Sequence, residues 1–255
     1  MGKYTFESCV RYSECGEDGR LTLGSIVDYF QDTATFQGEH LGVGVSFLKK
    51  QNIAWILTSW QIFTDHFPKL SEPVAVQTWA YDFRSFYGLR NLVLQDGCGR
   101  NAAWANSVWV LMDMERMRPV KVPEKLADLY GVEPRLEMDY GPRKVPEPEE
   151  GEEMPSFPVT RMHLDTNHHV NNGQYIEMAR AYVPEPFELY ETRVEYKAQA
   201  RLGDLVFPKV CREQDALTVS LRDEKGKSYC VVRFRQRSKE EPQRTAAEQN
   251  SERTE

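Results

Sequence analysis

Residues 165–172 gather one carboxylate (Asp165), three carboxamides (Asn167, Asn171, Asn172) and two imidazoles (His168, His169), and the apolar run Tyr175-Ile176-Glu177-Met178-Ala179 follows at once. Imidazole exchanges a proton near neutral pH, a carboxylate can fix its tautomer, and a carboxamide donates hydrogen bonds without changing charge. At the start of a helix such groups also feel the positive end of the helix dipole. The stretch is therefore equipped for hydrogen bonding and proton transfer. Each member also has a plainer role open to it. Asp165 and Asn167 suit a turn in which they bind backbone N–H groups two residues on, Asn171 and Asn172 suit helix caps, and His169 suits a buried, satisfied imidazole. In an extended backbone His168 points away from its neighbour and is exposed. His163, Asp165 and His168 have no second cluster to complete a ligand set, so no metal site is expected.

Two blocks of similar order must position these residues. In the first, Leu23, Ile26, Val27, Phe30, Ala34 and Leu41 recur at helical spacing over residues 21–43. Strand-like runs follow at 53–63, 74–83, 86–94 and 102–112, with a hairpin turn at Gln95-Asp96-Gly97-Cys98-Gly99. In the second, a loop at 165–170 leads into a helix over 172–183, stopped by Pro184 and Pro186, and strand-like runs follow at 189–198, 205–212, 216–222 and 228–236. The pattern predicts an α+β fold in which each half is a long helix wrapped by an antiparallel sheet. The expected division is an N-terminal domain over 1–118, a proline-punctuated linker over 119–158 with a short helix at 125–130, a C-terminal domain over 159–237, and a polar, disordered tail over 238–255.

Composition narrows the class. The 255 residues are 40% hydrophobic and 28% charged, as in a soluble globular protein. A net charge of −7 argues against a nucleic-acid partner. Five cysteines, an odd count without metal-like spacing, predict no disulfide framework and a reducing cytoplasm. Residues 1–7 lack the apolar stretch of a secretory signal, and no run approaches a membrane helix. No glycine-rich phosphate loop follows a strand, so no nucleotide fold and no cofactor is expected.

The segment Leu164-Asp165-Thr166-Asn167-His168-His169-Val170-Asn171-Asn172-Gly173-Gln174-Tyr175-Ile176 resembles the Asp-x-Asn-x-His-Val-Asn-Asn loop and Tyr-Ile helix of the acyl-ACP thioesterases. The first half is similar too, at Phe30-Gln31-Asp32-Thr33-Ala34, Trp55-Ile56-Leu57, Val76-Gln77-Thr78-Trp79 and Met112-Asp113, and the resemblance spans roughly residues 4–236. It implies a tandem hotdog fold and hydrolysis of fatty acyl thioesters carried on acyl carrier protein. In plant members a Glu-Cys pair follows Tyr-Arg-Arg, and the Glu is assigned a catalytic role. Here Gln199 and Ala200 stand at those positions, which excludes a cysteine nucleophile there and leaves a carboxamide to orient water.

Thioester hydrolysis needs a polarised carbonyl, an activated water and a stabilised oxyanion. The expected set is His169 and Asp165 as the acid/base pair, Asn167 or the first backbone N–H groups of the second helix as donors to the carbonyl oxygen, and Gln199 as the group that positions water. Glu195, sharing a strand face with Gln199 by alternation, is a reserve carboxylate. Gln31, Asp32, Asn171, Asn172 and Tyr175 are expected around the substrate. The partner implied is acyl carrier protein, which is acidic, so a docking face should be locally basic. Candidates are Arg84, Arg90, Arg116, Arg118, Lys121, Arg161, Lys197 and Arg201. Tandem domains fit a monomer or a homodimer. An acyl-CoA thioesterase of the same fold and a non-catalytic acyl-binding protein are the alternatives.

Overall fold

The apolar stripe over residues 21–43 demands burial on most of a helix circumference, and a curved sheet supplies it. The computed structural model describes residues 2–238. Within the described residues the chain forms two compact units, 2–58 with Ile62–Tyr140, and Ser59–Gln61 with 141–238. The tail expected over 238–255 lies, from residue 239 onward, outside the described residues.

The first unit holds β1 (Tyr4–Cys9), α1 (Leu23–His40), α2 (Val45–Lys50), β2 (Ile53–Thr64, except Ser59–Gln61), β3 (Pro73–Arg84), β4 (Tyr87–Gln95), β5 (Asn101–Asp113), β6 (Arg118–Pro119) and α3 (Glu124–Tyr130). Its strands run in the order β1-β3-β4-β5-β2, with β6 paired to β5. The β1–β3, β3–β4 and β4–β5 pairs are antiparallel. Helix α1 lies against β1, β3 and β4 and buries Leu23, Ile26, Val27 and Phe30 completely. Thr22 starts it by accepting the Ser25 N–H at 3.2 Å. The β4–β5 turn closes on Asp96, whose Oδ1 accepts the N–H groups of Cys98 and Arg100 at 2.9 Å each. Gly99, at φ 77°, supplies the left-handed residue the turn needs.

The second unit holds β7 (Glu152–Glu153), β8 (Phe157–Pro158), α4 (Asn172–Arg180), β9 (Leu189–Tyr196), β10 (Leu205–Arg212), β11 (Ala216–Arg222) and β12 (Ser228–Gln236). The order is β9-β12-β11-β10-β7, with β8 on β10. Helix α4 packs on β11 and β12 and buries Tyr175, Ile176, Met178 and Ala179. It ends at Arg180, short of the expected 183, in keeping with the bias away from helix just before Pro184.

The proline-rich connection is annexed by the sheets at both ends. In the first unit, the Trp79 indole N–H donates to the Pro134 carbonyl at 2.9 Å, and Asn91 Oδ1 accepts from Leu136 N and Tyr140 Oη. In the second, Glu195 Oε2 accepts the Val145 N–H at 3.1 Å and Lys197 donates to Glu147 at 2.6 Å.

The two units repeat one another in backbone detail. Each has a short 3-10 turn (Tyr12–Glu14; Arg161–His163) before its main helix. Each then makes an antiparallel bridge, Cys15 to Leu21 or Leu164 to Val170, around a tight turn. The turn is closed by Gly16 N to Arg20 O at 2.9 Å in one unit and by Asp165 N to His169 O at 2.8 Å in the other. Its left-handed residue is Gly19 (φ 70°) in the first and His168 (φ 61°) in the second. Thr22 and Asn171 are the matching caps.

Candidate functional site

The two copies of this duplicated loop carry different groups: carboxylates alone in the first, a carboxylate with a carboxamide and an imidazole in the second. In the first unit the turn reads Gly16-Glu17-Asp18-Gly19; in the second it reads Asp165-Thr166-Asn167-His168. Asp165 builds its own loop: Oδ1 accepts the Asn167 N–H at 2.7 Å and the His169 N–H at 3.3 Å, and Oδ2 lies 3.4 Å from the Asn167 side-chain amide. This is the turn-forming role, and it holds Asp165 and Asn167 side by side. His168 is exposed and left-handed rather than extended, because its N–H must turn back to the Asp165 carbonyl at 3.1 Å.

His169 follows on a backbone bridge to Arg201, and the Val170 N–H donates to the Ala200 carbonyl at 3.0 Å. These contacts bring the loop beside the segment that carries Gln199. The half-buried His169 ring and the exposed Gln199 amide have no hydrogen-bond partner among the described residues. Both are therefore available to a ligand or water.

Asn171 caps α4, its Oδ1 accepting the Gly173 N–H at 2.7 Å, while its carbonyl takes the Gln174 N–H. Those helix amides are thus engaged, whereas the Asn167 side-chain amide has only the long 3.4 Å approach to Asp165 Oδ2. The Asn172 carbonyl accepts the Tyr196 hydroxyl at 3.0 Å. Tyr175, 2% exposed, accepts the Ala200 N–H at 2.8 Å and so fixes the backbone next to Gln199. Burial pushes the Tyr175 and Tyr196 hydroxyls above the usual phenol range, and both stay protonated near neutral pH.

Glu195 stands apart from the loop. Its carboxylate faces the connecting strap, bonded to Val145 and 3.8 Å from both Arg143 and Lys197. The alternation that placed Glu195 and Gln199 on one face breaks after β9, where the N–H groups of Lys197 and Ala198 both meet the Tyr229 carbonyl.

Gln31 and Asp32 belong to α1 of the first unit. Asp32 is exposed; partial desolvation, with the Glu14 charge, raises its carboxyl against the opposing pull of Arg11. Sequence reasoning overlooked Tyr196 and the Ala200 backbone as supports of the site. The signal for Tyr196 is its place as the last residue of a strand beside the loop-bearing helix.

Comparison with known proteins places this arrangement. The family model for the acyl-ACP thioesterase N-terminal domain matches residues 2–130, and that for the C-terminal domain matches residues 146–249. The chain is 26% identical over 238 residues to the chloroplastic oleoyl-acyl carrier protein thioesterase 2 of Arabidopsis thaliana, covering 85% of this chain and 63% of the relative. It is 27% identical over 212 residues to the chloroplastic palmitoyl-acyl carrier protein thioesterase of Gossypium hirsutum, covering 74% of this chain and 50% of the relative. Among solved structures, an acyl-ACP thioesterase from Bacteroides thetaiotaomicron superposes with a TM-score of 0.83 at 20% identity, over 91% of this chain and 97% of that one. The 12:0-ACP thioesterase from Umbellularia californica gives 0.80 at 16% identity, over 92% and 97%. These likenesses show the fold, an α+β double hotdog.

Proposed function

The chain belongs to the acyl-ACP thioesterase family, and from that premise we propose that it hydrolyses the thioester of fatty acyl-acyl carrier protein and releases free fatty acid. The observation that carries the reading is the pairing of two unengaged polar side chains, His169 and Gln199, on adjacent backbones beside the Asp165–Asn167 turn. Gln199 orients a water. His169 takes its proton as the oxygen attacks the acyl carbon, and Asp165, whose Oδ1 accepts the His169 backbone N–H rather than a ring N–H, is assigned as the second member of the acid/base pair. The Asn167 amide donates to the carbonyl oxygen as it becomes an oxyanion. When the tetrahedral intermediate collapses, the C–S bond breaks and His169 returns the proton to the leaving thiolate. The products are a carboxylic acid and the carrier thiol. Gln31, Asp32, Asn171, Asn172 and Tyr175 are assigned to the surroundings of the substrate, Tyr175 by holding the Gln199 segment.

Five unpaired thiols fit a reducing, cytoplasmic setting. No helix among the described residues is long and apolar enough to cross a membrane. Activity is assigned to the chain as a monomer or homodimer, without a cofactor.

The test is steady-state hydrolysis of a panel of acyl-ACP and acyl-CoA substrates. His169→Ala and Asp165→Ala are each expected to lower kcat by about 10²- to 10⁴-fold, and Gln199→Ala by a smaller factor that Gln199→Glu reverses. Near-normal turnover in both His169→Ala and Asp165→Ala rules the assignment out. Tight acyl-ACP binding without acid release identifies a binding protein instead.

A further inference from the structure

The second unit presents an exposed rim around the site loop that is both cationic and apolar. Two short turns form it. The 3-10 turn Arg161–His163 is tied to the loop by the His163 carbonyl, which accepts the Asn171 N–H at 2.8 Å. The turn at 201–204 is tied to it by the bridge from Arg201 to His169. The turns join each other through Val159: its N–H donates to the Asp204 carbonyl at 2.8 Å, and its carbonyl accepts the Gly203 N–H at 3.0 Å. Met162 is 89% exposed and Leu202 52%, an unusual degree for large apolar side chains. Arg161 and Arg201 flank them, both exposed.

Neither arginine has a carboxylate partner among the described residues. Elsewhere in this unit arginines are paired, as in Arg212–Glu152 at 3.0 Å, Arg233–Glu213 at 2.7 Å and Arg235–Glu191 at 3.1 Å. The acids closest in the chain are turned to backbone: Asp165 to the N–H groups of Asn167 and His169, and Asp204 to the N–H of Arg201 at 2.8 Å. On a chain of net charge −7, the rim beside the site loop thus carries two cations with no carboxylate partner among the described residues.

The duplication supplies an internal control. The matching rim of the first unit presents Tyr12, Lys69 and Leu70, but its turn carries Glu17 and Asp18, Arg11 is paired to Glu14, and Asp28 and Asp32 are exposed on α1. An acidic partner is repelled there and attracted to the second unit.

Resting on the proposed hydrolysis, we infer that Arg161, Met162, Arg201 and Leu202 form the docking face for the acidic carrier protein whose thioester arm reaches the 165–170 loop. The arginines meet carrier carboxylates, and Met162 and Leu202 bury against the apolar part of the same carrier surface. Charges at an exposed rim act chiefly on the association rate and are screened by salt.

The experiment compares kcat/KM on acyl-ACP with that on the neutral acyl-pantetheine thioester of the same chain. The double variant Arg161→Glu/Arg201→Glu is expected to lose tenfold or more on acyl-ACP, with a much smaller loss on acyl-pantetheine. It should also flatten the fall of acyl-ACP turnover with salt. Arg161→Lys/Arg201→Lys, which keeps the charge, is expected to restore most of the rate, and Lys69→Glu in the first unit to change it little. Equal losses on both substrates, or none on acyl-ACP, overturn the docking face while hydrolysis stands. A wild-type chain that hydrolyses acyl-pantetheine but no acyl-ACP removes the carrier, and with it this surface. A wild-type chain inactive on both overturns the parent reading.

Discussion

At the scale of single residues, the site loop is decided by what its backbone requires. His168 occupies the left-handed position that Gly19 fills in the first unit, at φ 61° against 70°. An L-residue pays about 1–2 kcal/mol to sit there, while glycine loses about 0.5–1 kcal/mol of chain entropy on folding. His168→Gly should therefore be neutral or stabilising by up to about 1 kcal/mol, read as the urea midpoint, with kcat retained because His168 is exposed and outside the assigned set. A large loss of kcat in a stable His168→Gly protein would show that the imidazole acts in the reaction and that His169 was wrongly preferred. The identities of the polar residues were plain in the sequence. Which of the two adjacent histidines faces the Gln199 segment was not, because an extended backbone and a turn give different answers. The bridge from His169 to Arg201 is a contact between residues far apart in sequence, and no local pattern announces it.

At the scale of elements, strands and helices with strong periodicity were legible nearly to their ends. The expected run at 216–222 is β11 and the expected run at 228–236 is β12. Elements held by neighbours rather than by their own pattern were not. Strand β1 alternates in burial over Tyr4–Cys9, but that strip becomes a strand only by pairing with β3. Helix α2, Val45–Lys50, is shorter than two turns and shows too few apolar positions to declare a period. The β4–β5 hairpin was legible through its turn residues, and its stability has a pH signature. Burial works against the Asp96 charge, but hydrogen bonds from Arg100 and Cys98 and the Arg100 charge outweigh it, so its carboxyl lies below the ordinary value. A depressed carboxyl contributes stability above the unfolded pKa of about 3.9 and loses it as pH falls through the folded value. Asp96→Asn is expected to cost about 1–3 kcal/mol at neutral pH, and the gap to wild type should close on acidification below that range. Urea unfolding of both proteins across pH checks this, and a gap that persists in acid assigns the cost to shape rather than charge. The cap Asn171 gives a second handle. Asn171→Ala should cost about 1 kcal/mol in the same assay, since the Gly173 N–H loses its partner at 2.7 Å.

At the scale of the whole molecule, the helix-then-strands order written twice was visible in the sequence, and so was the fold class. What the residues alone did not disclose is that the two loops share one backbone path, since Gly16-Glu17-Asp18-Gly19 and Asp165-Thr166-Asn167-His168 have no identical residue at any matching position. The same backbone presents Glu17 and Asp18 in one unit and, in the other, the residues to which the proposed reaction is assigned. The water chemistry proposed for that loop makes a demand on the entire chain: no thiol takes part. Position 200 is alanine, and the five cysteines are free, with Cys9 and Cys98 exposed, Cys15 and Cys211 half-buried, and Cys230 buried. Burial pushes the Cys230 thiol well above its usual range, with the Glu195 charge adding to the effect, so little of it is thiolate near neutral pH. Alkylation of the native protein with iodoacetamide should therefore label Cys9 and Cys98 first and Cys230 last, as followed by mass spectrometry. Hydrolysis of acyl thioesters should persist once Cys9 and Cys98 are fully labelled. A loss of turnover in step with the label, not reproduced by Cys9→Ser/Cys98→Ser, would point only to bulk at the surface. The same loss reproduced by those substitutions would place a sulfur in the reaction and end the water mechanism built on His169, Asp165 and Gln199.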